Sequence, residues 1–118
     1  MFKTIALLKR RADLSMAEFV ARYETGHARL GERVLRGSAS HYVRRYLHPV
    51  PDPASGAIVE AEHDVATEVW YADRATWEAT MARLAEPATM AEIVADEETL
   101  FDRSRNRFFV VEEHESAL

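Results

Sequence analysis

The chain has 118 residues, with 15 Lys+Arg against 20 Asp+Glu, a formal net charge of −5 and no cysteine. That length is ordinary for one domain and excludes a multidomain enzyme, while the missing thiols exclude disulfides, thiolate zinc sites and cysteine nucleophiles. An acidic chain with dispersed basic residues lacks the electropositive face that phosphate neutralisation needs, so nucleic acid is not an expected partner.

Phe2 to Lys9 is short, apolar and ended by charge, which predicts a buried strand. No basic region precedes it and no cleavage site follows, so it does not resemble a signal peptide. No apolar run approaches the roughly 18 residues of a membrane span, and the cytoplasm is the expected location. Ser15 and Glu18 form a capping box, with Leu14 and Phe19 as its hydrophobic staple. From there Phe19, Tyr23, His27, Leu30 and Val34 recur at helical spacing and predict one stripe facing a sheet, stopped near Gly37. His41 to His48 alternates as a strand, with Tyr42, Arg44, Tyr46 and His48 on one side and Val43, Arg45 and Leu47 on the other.

Pro49, Pro51 and Pro53 open a long extended connection through residues 49–63. Asp64 to Tyr71 is the third strand. Asp73 is placed to cap a second helix whose stripe is Trp77, Met81 and Leu84, closed by Pro87. Thr89 with Glu92 repeats the capping-box pattern before a short helix carrying Met90, Ile93 and Val94. Arg107 to His114 is the last strand, and residues 115–118 form a tail.

The resulting order, βαββαβ, defines a ferredoxin-like α+β domain spanning residues 1–118, a four-stranded antiparallel sheet with helices on one face. In the last strand Phe108 and Val110 alternate with Phe109 and Val111, so both faces are apolar, whereas a sheet open to water on one side should alternate with polar residues. A homodimer packed sheet to sheet would cover the second face, forming a dimeric α+β barrel enclosing the groups of the middle strands.

Several motifs in order carry a family resemblance. Leu7-Leu8-Lys9-Arg10-Arg11, Ser15-x-x-Glu18-Phe19 and Tyr23-Glu24-x-x-His27-Ala28 resemble the N-terminal signature of the EthD family. Tyr42-Val43-Arg44-Arg45-Tyr46-x-His48 resembles its second strand, and Asp64-Val65-Ala66-Thr67-Glu68-Val69-Trp70 its third. Ala95-Asp96-Glu97-Glu98 with Phe101 resembles its late acidic turn. The resemblance implies the dimeric barrel. It also implies a range of activities: an oxidoreductase or auxiliary role beside a monooxygenase, or cofactor-free dehydratase, cyclase or decarboxylase chemistry. Fold alone does not choose among them.

His27 interrupts an apolar stripe at a position that matches a hallmark of the resembled family. It reads either as a core histidine satisfied by a carbonyl or as a general acid–base group, since imidazoles suit that work near neutral pH. The expected catalytic set is His27, His48, Glu68 and Tyr42. Trp70, Tyr46, Asp64 and Arg44 are the expected substrate-binding groups, with the aromatic rings giving a flat wall for a small hydrophobic or aromatic ligand. Glu68 reads equally as the partner of Arg10, Arg44 or Arg45, and Asp64 as a strand-start anchor. Asp96-Glu97-Glu98 reads as a solvated turn. His27 and His48 with Asp64 or Glu68 could make a facial triad for iron, but they lie on different elements and no His-x-His pair exists. No glycine-rich strand-to-helix loop is present for a nucleotide. No cofactor is therefore expected. Proton-transfer enzyme, oxidoreductase or auxiliary protein, and non-catalytic binder of a pathway intermediate remain the three function classes.

Overall fold

Side-chain alternation along four strands decides what the two faces of this molecule are made of. A computed structural model describes residues 1–118 and contains strands β1 (Phe2–Leu8), β2 (Ala39–Tyr46), β3 (Val65–Tyr71) and β4 (Arg107–Val110). They form one antiparallel sheet in the order β2-β3-β1-β4, the ferredoxin-like α+β architecture expected from the sequence. β1 pairs Thr4 with Val69 and Ala6 with Thr67, and β2 pairs Tyr42 with Val69 and Arg44 with Thr67. These residues, with Tyr46, Tyr71, Phe108 and Val110, therefore share the helix-facing side. Ile5, Leu7, Val43, Arg45, Ala66, Glu68, Trp70 and Phe109 fall on the open side.

The first helical segment begins as the sequence predicts. Glu18 N–H donates to Ser15 Oγ at 3.1 Å, and Ser15 N–H donates to the Glu18 carboxylate at 3.2 Å. The helix is not uniform, however. α1 (Met16–Arg22) passes into a π-helical turn, Tyr23–His27, and resumes as α2 (Ala28–Leu35). The wider turn accommodates an extra residue and shifts the inward stripe after His27. Ala28 and Leu35 are buried with Val34, whereas Leu30 is only half-buried. Gly37 ends the helix with φ +82°, a conformation that favours glycine.

Asp73 caps α3 (Arg74–Leu84) by accepting from Thr76 N–H at 2.7 Å. The second capping box is corrected. α4 (Pro87–Glu98) starts at Pro87, two residues before Thr89, with Glu86 preceding it and no side-chain cap. Proline suits that first position because its absent N–H would have no helical partner. α4 is thus 12 residues long and carries Asp96, Glu97 and Glu98 in its last turn instead of in a following loop. A 3-10 turn, Arg103–Arg105, leads to β4, which ends at Val110 and not at His114.

Leu8, Leu14, Phe19, Tyr23, Ala28, Val65, Leu100 and Phe101 form the buried cluster. Its rings meet edge to face, Phe19 with Phe101 at 5.8 Å and Tyr23 with Phe101 at 5.8 Å, the arrangement that aromatic quadrupoles prefer. This cluster fastens the π turn to one end of the sheet. Between the sheet and α2, α3 and α4 lies the cavity described next.

Candidate active site

A cavity of about 530 Å³ lies between the sheet and the helices of a single chain. Its lining is mostly apolar, from Val34, Val69, Met81, Leu84, Ile93 and Phe108 among others, with His27, Tyr23, Tyr42 and Thr67 as the polar groups of its interior wall. This cavity lies on the helix side of the sheet within one chain, a space the sequence did not predict.

His27 is placed by the π turn. Its ring stands edge to face with Tyr23 at 4.9 Å and Phe101 at 5.2 Å, and its side chain is 14% exposed. Asp96, from the last turn of α4, lies 2.5 Å from Nδ1. A carboxylate only accepts, so Nδ1 carries the proton in this pair. Nε2 makes no hydrogen bond to the protein and is left for whatever enters the cavity. A carboxylate that fixes the tautomer and steadies the imidazolium is the orienting arrangement of acid–base histidines.

Hydroxyls supply the rest of the polar wall. Tyr23 and Thr67 share a hydrogen bond of 2.7 Å. Tyr42 projects from β2 against Gly31 of α2, where a Cβ would fall 2.6 Å from its hydroxyl oxygen. Glycine is required there for close approach. Burial, reinforced by the neighbouring Tyr23, drives the Tyr42 phenol far above its ordinary value, and burial also raises Tyr23. Both phenols therefore stay protonated and can donate.

Beside the cavity, Arg44 holds Glu24 of the π turn through two bonds, Nη2 to Oε1 at 2.5 Å and Nε to Oε2 at 3.1 Å. The Tyr46 hydroxyl donates to Glu24 Oε2 at 2.5 Å. Arg44 holds the Glu24 carboxyl below its usual range, and burial raises the Tyr46 phenol. Arg44 and Tyr46 thus face the helix side but are occupied in tying β2 to the π turn.

The expectation that His27, Tyr42, Tyr46, His48, Asp64 and Glu68 share one layer is corrected. Thr67 and Val69 point to the helices, so Glu68 between them and Trp70 beyond must point away. Glu68 accepts from Arg45 at 2.9 Å and from Trp70 Nε1 at 3.3 Å. Lys3 Nζ lies 3.8 Å from the Trp70 ring centroid. His48 is exposed and borders a separate groove with Pro49, Val50 and His63 of the long connection. Asp64, 5% exposed, accepts from Arg10 N–H at 3.0 Å and pairs with Lys9 at 3.4 Å. That joins the start of β3 to the end of β1, the anchoring alternative. The structure therefore gathers His27 and Tyr42 at one cavity and leaves His48, Asp64, Glu68 and Trp70 elsewhere. No three His, Asp or Glu side chains converge as a metal-ligand set.

Asp96, expected in a solvated turn, lies instead inside α4 against His27. Its signal was the helix period: with α4 extended to Glu98, Asp96 lies three residues beyond Ile93, on the part of the helix surface that meets His27.

These features define a ferredoxin-like α+β protein with a largely apolar pocket under its helices and, in the pocket wall, a histidine backed by a carboxylate. A family profile described as EthD domain matches residues 11–104, most of the chain, and the chain belongs to the EthD family. Among solved structures it is similar to the crystal structure of At3g17210 from Arabidopsis thaliana, at 13% identity and a TM-score of 0.64, covering 100% of both chains. That likeness is one of fold. No functionally curated protein matches the sequence. No helix is long and apolar enough to cross a membrane.

Proposed function

We propose that the protein is a cofactor-independent enzyme that moves a proton on a hydrophobic aromatic or carbonyl metabolite, in chemistry of the dehydratase, cyclase or isomerase type. The single observation that carries this reading is His27 in the wall of a largely apolar cavity, with Asp96 behind it 2.5 Å from Nδ1. Nε2 of His27 would take a proton from carbon next to a carbonyl, with Asp96 stabilising the imidazolium. Tyr42, kept protonated by burial, is the group available to hydrogen-bond the enolate oxygen. His27 then returns the proton to the rearranged carbon or to a leaving oxygen. Glu68 and His48 have no part in this scheme, since neither borders the cavity.

The test needs no knowledge of the natural substrate. Deuterium exchange at the methyl protons of 2-acetylnaphthalene in D₂O should run above the buffer rate. His27→Gln should lower that excess by roughly 10²–10⁴-fold in a folded protein. Unchanged exchange in the variant would remove His27 from the chemistry. Binding without any exchange would favour a carrier of a pathway intermediate.

We also propose a homodimer, in which a second copy covers the open side of the sheet. Ile5, Leu7, Val43, Trp70 and Phe109 lie there, and Phe109 is 48% exposed. An obligate interface would bury more than about 1,000 Å². Sedimentation at micromolar concentration should give twice the 13.4 kDa chain mass; a stable monomer would refute it.

A further inference from the structure

The cavity has a mouth whose chemistry the proton-transfer scheme does not use. Beside it lies a smaller pocket of about 270 Å³, bordered by Glu97, Arg103, Ser104, Asn106 and Phe108. Glu97, Arg103 and Phe108 line both spaces, so a ligand can occupy the two together. The polar groups of the small pocket are held with donors to spare. Arg103 donates from Nε to Glu97 Oε2 at 3.0 Å, and its two Nη nitrogens bond to nothing in the protein. Asn106 accepts the Lys9 N–H through Oδ1 at 2.9 Å, which fixes the amide so that Nδ2 is the end left over. Ser104 is spent on Asp102 at 2.6 Å.

Two donor groups without acceptors, an arginine fork edge and an amide N–H₂, thus flank an apolar chamber. From this juxtaposition we infer that the mouth is a carboxylate subsite, and that the preferred ligand is a hydrophobic, aromatic molecule with a carboxylate at one end. The planar fork of arginine matches a carboxylate edge to edge. Glu97 balances the single charge of Arg103, so the mouth is formally neutral and suits a singly charged carboxylate better than a phosphate dianion. Phe108, 70% exposed at this junction, offers a ring face to the part of the ligand that joins its two ends. The apolar body then lies under α3 and α4 with its far end towards His27. This inference deepens the proposed function by naming the substrate class and rests on the same cavity.

Calorimetric titration with 2-naphthoate and 2-naphthol, which share a ring system and differ in the acid group, tests it on the full chain. Wild type should bind naphthoate about tenfold more tightly than naphthol. Arg103→Gln should erase that ratio and leave the naphthol affinity as it was, while Arg103→Lys should keep part of it. Circular dichroism checks that each variant is folded. Equal affinity for the two ligands in wild type, or a ratio that survives in Arg103→Gln, overturns the carboxylate subsite and leaves the His27 chemistry standing. Failure of both ligands to bind overturns the subsite and the cavity reading together. A 2-naphthyl phosphate arm that outbinds naphthoate would overturn the preference for a carboxylate.

Discussion

On its helix side the sheet carries Thr4, Thr67, Tyr42 and Tyr71 among aliphatic residues, with no charged residue on the two central strands; on its open side it carries Lys3, Arg45, Glu68 and Trp70, cross-linked to one another. Hydroxyls can enter a low-dielectric layer because one partner satisfies them, as Thr67 satisfies Tyr23. Ionised side chains need a charged partner, and Glu68 has Arg45 at 2.9 Å on the opposite side of the sheet. The difference teaches that the cavity and the paired charges of Glu68 and Arg45 lie on opposite sides of the sheet.

The largest effect that could break this contrast is on rate. Set against the loss expected for His27→Gln, Glu68→Gln should leave proton exchange on 2-acetylnaphthalene within about twofold of wild type, since Glu68 points away from the cavity and does not border it. A hundredfold loss in Glu68→Gln would move the chemistry to the open face and reverse the assignment of the two sides.

Much of this arrangement was legible in the sequence. The strand order, the Ser15–Glu18 box, the Asp73 cap and the inward aim of Phe19, Tyr23 and His27 all follow from local spacing, which backbone geometry enforces within a few residues. The period of two along β3 was equally legible, and it separates Glu68 from Thr67. What it does not carry is which side the helices cover, because Val43, Ala66 and Trp70 are as apolar as Val65 and Val69. The π turn was hidden too, since no composition signal marks an extra residue in a helical turn. Asp96 was obscured by a boundary: reading the helix as starting near Thr89 and ending early put the acidic run in a loop, whereas Pro87 starts it sooner and carries the period to Glu98. His27 and Asp96 are 69 residues apart, and pairing at that distance is a property of the packed helix layer.

The same contrast has a pH signature. All four tyrosines, Tyr23, Tyr42, Tyr46 and Tyr71, lie on the helix side. Burial pushes Tyr71 up to about 12 and raises the other three as well. Unfolded tyrosine ionises near pH 10. For a group whose folded value is raised, the stabilisation is complete below the unfolded value. It falls as pH climbs towards the folded one, because the unfolded chain then sheds protons that the native chain keeps. Stability should therefore decline above about pH 10. Tyrosinate absorbance should appear in step with the loss of circular dichroism. Two or more phenols titrating near pH 10 in a protein that stays folded would show that the helix layer is wetter than its packing suggests.

A smaller effect separates two glycines of the same helical stretch and sharpens the account of the helix side. Gly31 supports Tyr42: an added Cβ would meet the ring end at 2.6–2.8 Å, so Gly31→Ala must displace a buried phenol held between α2 and β2. Overpacking of that kind costs about 1–3 kcal/mol, which exceeds the about 0.5–1 kcal/mol by which alanine outdoes glycine within a helix. Gly26, in the π turn, would place its Cβ with nothing inside 4 Å. There only the backbone gain remains, and Gly26→Ala should raise stability by about 0.5–1 kcal/mol. Urea midpoints of the two variants should thus move in opposite directions. Because Tyr42 is the proposed donor to the enolate oxygen, Gly31→Ala should also slow proton exchange, while Gly26→Ala should not. If Gly31→Ala proved as stable as Gly26→Ala, the Tyr42 ring could not be resting on the helix backbone, and its place in the cavity wall would have to be given up.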